Sequence, residues 1–231
     1  MFRTTSAPLC TRRELLRAGL GTALGSWFAL ELLAEGRAGA ATRVPPVPTP
    51  SPGAPPRRIS MVGDSLTVGT MRYQTQDFAA AGWSQSAIDA YVSRGVRTKV
   101  RADTHTGITA VDAIRKDNGD TEAWIVGLGT NDAVIYSKSK HAAVIAEMMD
   151  HIGRGHRVMW INIYLPDKRH VQDSWNAALE EMARNRDDMS VLDWAGIIAG
   201  NKRWMAKDGL HCSPTGYQQR SLVVGEASKV L

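Results

Sequence analysis

Two cysteines are too few to staple this chain. Cys10 falls in the N-terminal segment that reads as an export signal, which leaves Cys212 alone in the remainder. No internal disulfide forms there, so stability has to come from a hydrophobic core. An unpaired thiol exposed in an oxidising compartment is a liability, and Cys212 is therefore expected to be buried and structural. Basic runs interleaved with aromatics are also missing, which argues against nucleic acid as a partner. His and Cys nowhere cluster at ligand spacing, so no metal site is expected. No internal repeat is visible.

A long apolar run is absent too. The uncharged stretch Ala18 to Leu30 (AGLGTALGSWFAL) is too short to span a bilayer comfortably, follows Arg3, Arg12, Arg13 and Arg17, and precedes the small residues Ala38-Gly-Ala-Ala41. Residues 1–40 are read as an export signal, and the paired arginines of Thr11-Arg-Arg-Glu-Leu-Leu16 give it a twin-arginine look. Residues 41–56 contain TRVPPVPTPSPGAPP, whose prolines remove backbone donors and hold the chain extended, so this is a linker. The folded domain is expected over 57–231, exported to the periplasm, cell wall or medium, without stable membrane insertion once the signal is gone. Residues 1–40 carry five Arg and three acidic residues, so the formal charge of +5 falls to +3 without them.

What is present is an alternation of short apolar runs and helical patterns. Strands are expected at Ile59–Val62, Ile88–Val92, Ala123–Gly127, Val158–Tyr164 and Ser190–Leu192, and amphipathic helices at about Thr109–Arg115, His141–Ile152, Ser174–Arg186 and after Pro214. That order implies an α/β fold with helices on both faces of a parallel sheet. Ligands of such sheets sit beyond the carboxyl ends of the strands. Those ends read Gly63-Asp-Ser65, Ser93-Arg-Gly95 and Gly127-Leu-Gly-Thr-Asn-Asp132, so polar and glycine residues gather at one edge.

Ser65, opening a helix just past the first strand, sits where backbone N–H groups favour negative charge, which suits a nucleophile. By itself it is equally a helix N-cap. A serine nucleophile needs a base held in one tautomer, and Lys207-Asp-Gly-Leu-His-Cys-Ser-Pro214 offers Asp208 and His211 at a spacing that one turn can close. Asn131, in Gly129-Thr-Asn-Asp132, can donate an amide to an oxyanion, although asparagine in such a loop is often only a turn residue.

Taken together, Gly63-Asp-Ser-Leu66, Gly129-Thr-Asn-Asp132 and Asp208-x-x-His211 resemble, in order, the nucleophile, asparagine and terminal Asp/His blocks of the SGNH hydrolases, the GDSL esterase and lipase superfamily. The resemblance covers Arg57 to Leu231. It implies a flavodoxin-like, three-layer αβα fold on a five-stranded parallel sheet, and a serine esterase in which Ser65, His211 and Asp208 are catalytic. The oxyanion hole would be formed by Ser65, a backbone N–H after the second strand, and Asn131. At that second position relatives carry glycine before an arginine, whereas this chain has Ser93 before Arg94. Gly95 and Gly107 are the competing donors.

Ile88 to Arg94 and Ser190-Val-Leu-Asp-Trp194 further resemble SGNH domains linked to bacterial envelope acyltransferases, which points to an ester substrate such as an O-acetylated envelope polysaccharide. The rival readings are acyl transfer to a glycan acceptor and a catalytically silent glycan-binding module. Of the seven tryptophans, Trp124 and Trp160 are expected in the core, and Trp204 either in the core or stacked on a sugar ring. His105, His141, His151, His156 and His170 are expected at the surface.

Overall fold

The computed structural model describes residues 57–99 and 105–231. The expected signal and linker, residues 1–40 and 41–56, lie outside the described residues. Five strands, β1 (Arg58–Gly63), β2 (Gln85–Ala90), β3 (Ala123–Gly127), β4 (Arg157–Ile161) and β5 (Met189–Leu192), form one sheet in the order β2-β1-β3-β4-β5. All neighbouring strands are parallel. The helices are α1 (Ser65–Ala80), α2 (Gly107–Asn118), the short α3 (Asp132–Ile135), α4 (His141–Ile152), α5 (Arg169–Arg184), α6 (Trp194–Ala199) and α7 (Pro214–Ala227). This is the three-layer αβα architecture on a five-stranded parallel sheet that the sequence resemblance implied. Among the described residues no helix is long and apolar enough to cross a membrane.

The pleat divides the core in two. Trp124, Val126, Val158 and Trp160 point into a layer completed by Val111 and Ile114 of α2, Val144 and Met148 of α4, and Trp175 and Leu179 of α5. The alternate residues Ile59, Met61, Ile125, Met159 and Ile161 face Leu66 and Phe78 of α1, Trp194 and Ile198 of α6, and Val224 of α7. Period-two alternation explains why consecutive apolar residues serve opposite layers in a sheet covered on both sides. Trp204 and Cys212 are also buried in the second layer.

Element ends differ from the sequence expectation for identifiable reasons. β2 begins at Gln85, not Ile88, because as an edge strand it is held by main-chain pairing of Gln85 and Ser86 with Arg58 and Ile59, and it carries no continuous apolar signal. It stops at Ala90, since Tyr91 to Arg94 turn away with the Arg94 N–H on the Tyr91 carbonyl. β4 stops at Ile161 although the apolar run continues to Tyr164. Asn176 Oδ1 accepts from the Ile163 N–H and its Nδ2 donates to the Ile163 carbonyl, so a side-chain amide satisfies a backbone that has left the ladder. α1 shows no clear apolar stripe because its buried face includes Thr67, Thr70 and Gln74.

Those polar residues meet α7. Gln74 Nε2 donates to the Ser221 carbonyl at 3.4 Å, and Ser221 Oγ donates to Asp77 Oδ2 at 2.5 Å. The Tyr217 ring lies on Gly69, where a Cβ would come within 2.1 Å of it. At the start of α7, a Cβ on Gly216 would lie 1.9 Å from the Trp204 carbonyl oxygen. Neither partner there is a flexible side chain. Gly216→Ala is therefore expected to lower stability by about 1–3 kcal/mol in urea denaturation, despite the better helix propensity of alanine.

Candidate active site

Asp64, not Ser65, caps α1. Its side-chain Oδ1 accepts from the Leu66 N–H at 2.9 Å, so Ser65 becomes the first helical residue and its hydroxyl is not engaged by the helix it opens. Ser65 Oγ instead lies 3.0 Å from His211 Nε2, across 146 residues of sequence. His211 Nδ1 is 2.7 Å from Asp208 Oδ2, while Asp208 Oδ1 accepts from the N–H groups of Leu210 and His211 at 3.0 and 2.9 Å. The turn that closes this contact is a short loop between the Met205–Cys212 bridge, with Gly209 at φ 70°.

Hydrogen bonds from His211 and from those two backbone groups hold the Asp208 carboxyl down at about 2. It is ionised at neutral pH and can only accept, so the proton of a neutral imidazole resides on Nδ1 and the Nε2 lone pair faces the Ser65 hydroxyl. Both Asp208 and His211 are solvent-accessible, with 52% and 35% of their side chains exposed.

Three candidate donors face the same edge. The Ser65 N–H has no acceptor among the described residues. Asn131 Nδ2 donates one hydrogen to the Arg94 carbonyl at 2.8 Å, which leaves its second hydrogen. Of the three positions after β2, the Gly95 N–H is engaged by the Thr98 carbonyl and the Gly107 N–H by the Gly95 carbonyl. The exposed Ser93 N–H has no acceptor among the described residues. The Tyr91 N–H on the Gly63 carbonyl carries this turn to the end of β1.

The sequence reading missed the residues that build the turn. Arg94 is buried, donates to the Asp89 carbonyl and Asp89 Oδ1 at 2.8 Å each, and reaches the His105 carbonyl at 3.1 Å. Asp132, wholly buried, accepts the Val96 N–H on both oxygens at 2.9 Å. Burial pushes its carboxyl up to about 6, against the pull of backbone N–H groups. Beneath Ser65, burial raises the Asp64 carboxyl as well, opposed first by the charge of buried Arg220. Adjacency of Arg94 to Ser93 and of Asp132 to Asn131 was the only sequence signal for these roles.

His141 corrects an expectation. It is fully buried, with Nδ1 at 3.1 Å from Ser174 Oγ, Nε2 at 3.2 Å from the Ala133 carbonyl, and its ring edge-on to Trp175. His151 and His156 are half-buried against Asp112 and the Thr121 carbonyl, whereas His105 and His170 are exposed. Trp124, Trp160 and Trp204 are all buried, so Trp204 has no face for a sugar. Burial raises the Cys212 thiol to about 11, which keeps it protonated and inert.

The family model described as GDSL-like lipase/acylhydrolase matches residues 61–219. No curated protein sequence matches the chain. Solved structures similar to it include the C-terminal catalytic domain of peptidoglycan O-acetyltransferase A from Streptococcus pneumoniae, at 13% identity and TM-score 0.57, covering 76% of this chain and 92% of that one. The carbohydrate acetylesterase Est24 from Sinorhizobium meliloti aligns at 16% identity and TM-score 0.54 over 75% of this chain and 97% of its own. The aryl esterase of M. smegmatis aligns at 14% identity and TM-score 0.57 over 76% and 99%. At these identities the likeness is one of fold.

Ser93 has φ 57°, the left-handed region that glycine enters without penalty, and it is the one non-glycine residue among those described with positive φ. Ser93→Gly relieves that strain while loosening the unfolded chain, so urea denaturation should find its stability within about 0.5 kcal/mol of the parent. Ser93→Val, β-branched, should lose about 1–3 kcal/mol.

Proposed function

The chain belongs to the GDSL-like lipase/acylhydrolase family, and we propose that it is an exported serine esterase that removes small acyl groups, O-acetyl foremost, from a polysaccharide of the cell envelope. The observation that carries the reading is the continuous line from Ser65 Oγ through His211 to Asp208, at 3.0 and 2.7 Å.

In the proposed reaction His211 Nε2 takes the Ser65 proton as Oγ attacks the ester carbonyl. Asp208, ionised, holds the Nδ1–H and stabilises the imidazolium that forms. The Ser65 and Ser93 N–H groups and the second hydrogen of Asn131 Nδ2 donate to the oxyanion, Arg94 and Asp132 keeping the Ser93 turn in place. His211 returns the proton to the departing alcohol. Water, deprotonated by the same Nε2, then attacks the acyl-serine, releasing the acid and restoring the Ser65 hydroxyl.

Solvent exposure of His211 and Asp208 leaves water direct access to the acyl-serine. No step calls for a metal or organic cofactor. Export rests on the sequence of residues 1–40, outside the described residues, and an acetylated envelope glycan as substrate is supported by the similarity to a carbohydrate acetylesterase and to a peptidoglycan O-acetyltransferase domain.

Ser65→Ala and His211→Ala are each expected to lower kcat on p-nitrophenyl acetate by about 10³-fold or more, with little change in KM. Wild-type turnover by Ser65→Ala would remove the serine from the reaction. Asp208, depressed to about 2, binds its proton less readily folded than unfolded. Its contribution to stability is therefore complete above about pH 4 and disappears as pH falls through 2, so thermal melting of Asp208→Asn should lack the loss of stability that Asp208 gives the parent between about pH 4 and 2, while the variant turns over p-nitrophenyl acetate more slowly than the parent at neutral pH.

A further inference from the structure

The cations at the carboxyl edge of the sheet have nothing to hold. Lys138 and Lys140 precede α4, Lys168 and Arg169 open α5, and Lys202 and Arg203 lie in the single turn after α6, in the segments that follow β3, β4 and β5. All six are exposed, and none has an ion-pair or hydrogen-bond partner for its side chain among the described residues. Lys207, beside Asp208, is in the same condition.

The acids of the same edge are buried or, where exposed like Asp193 and Asp208, already hydrogen-bonded within the protein. Asp64 and Asp132 are buried, Asp193 caps α6 and accepts from Asn162, and Asp208 holds His211. Asp167 and Asp173 are exposed as well, and in the segment after β4 they stand beside Lys168 and Arg169. Elsewhere the usual pattern is pairing: Arg57 with Glu122, Arg97 with Glu147, Arg186 with Asp188 and Lys229 with Glu226. Positive potential is thus left uncompensated on the side of the molecule that carries Ser65. A surface of that kind gathers polyanions and weakens with salt, because exposed charges are screened beyond about 10 Å at 0.1 M.

We propose that this edge docks an anionic, acylated polysaccharide and presents its ester to Ser65. The inference rests on the esterase reading and narrows its substrate to a polymer carrying carboxylate or phosphate groups. The nucleic-acid alternative lacks stacking platforms, since all six tryptophans among the described residues are buried.

Binding is measured with full-length protein carrying Ser65→Ala, using O-acetylated alginate as the polyanion, acetylated glucomannan as the neutral polymer and phosphatidylglycerol vesicles as the anionic surface. Alginate is expected to bind at least about tenfold tighter than glucomannan at low salt, and to lose about tenfold in affinity when NaCl rises from about 50 to about 300 mM. Lys168→Glu/Arg169→Glu and Lys202→Glu/Arg203→Glu should each weaken alginate binding at least about fivefold. Lys116→Glu/Arg154→Glu, an equal change of net charge at the opposite edge, should alter it less than about twofold. Circular dichroism checks that each variant is folded. Equal affinity for both polymers, equal weakening by the opposite-edge pair, or tighter binding to vesicles than to alginate overturns the proposal. Turnover of p-nitrophenyl acetate by the protein with and without Ser65→Ala is scored separately. Turnover that depends on Ser65 beside indifferent polymer binding defeats the docking surface alone, whereas turnover that survives Ser65→Ala defeats the esterase.

Discussion

A 3.0 Å contact between residues 65 and 211 exists because α1 and α7 lie against each other through small and polar groups. Tyr217 rests on Gly69, Ser221 donates to Asp77, and Gly216 sits under the Trp204 carbonyl. A bulkier interface would push apart the start of α1, which carries the hydroxyl, and the loop leading into α7, which carries the imidazole. The polar character of this seam has a price in sequence legibility, since α1 buries Thr67, Thr70 and Gln74 where an amphipathic helix would show aliphatic residues.

The second arm of the site depends on buried charge. Arg94 spans from Asp89 to the His105 carbonyl, and its own carbonyl receives Asn131. Asp132 pins the next residues from the other side. Removing a carboxylate from water is unfavourable, and the rise of Asp132 to about 6 is the mark of that opposition. Backbone N–H groups aimed at the carboxylate offset it. The turn holding Ser93 is in this way fixed by charges that never face the cleft, and it can be fixed in a conformation that serine adopts only under strain.

Exposed and buried charge do different work in this molecule. Inside, Asp64, Asp132, Arg94 and Arg220 shape the strand ends. Outside, lysines and arginines around the same edge lack partners, which leaves a field available to whatever approaches Ser65.

The sheet was legible because its central strands are covered on both faces and therefore read as continuous apolar runs. Ala123–Gly127 and His141–Ile152 matched to the residue. The Asp208-x-x-His211 spacing was legible for a similar reason, being a local turn whose geometry is set by three residues. Edge strand β2 was misplaced by three residues because main-chain pairing, which leaves no pattern in side chains, holds its first residues. His141 was misjudged because its partners, Ser174 and the Ala133 carbonyl, are brought to it only by the packing of α4 against α5. Which N–H groups among Ser93, Gly95 and Gly107 are engaged likewise belonged to tertiary structure alone. All three are small residues in one stretch of chain, and only folding decides which N–H groups are taken by neighbouring carbonyls and which one is left facing outward.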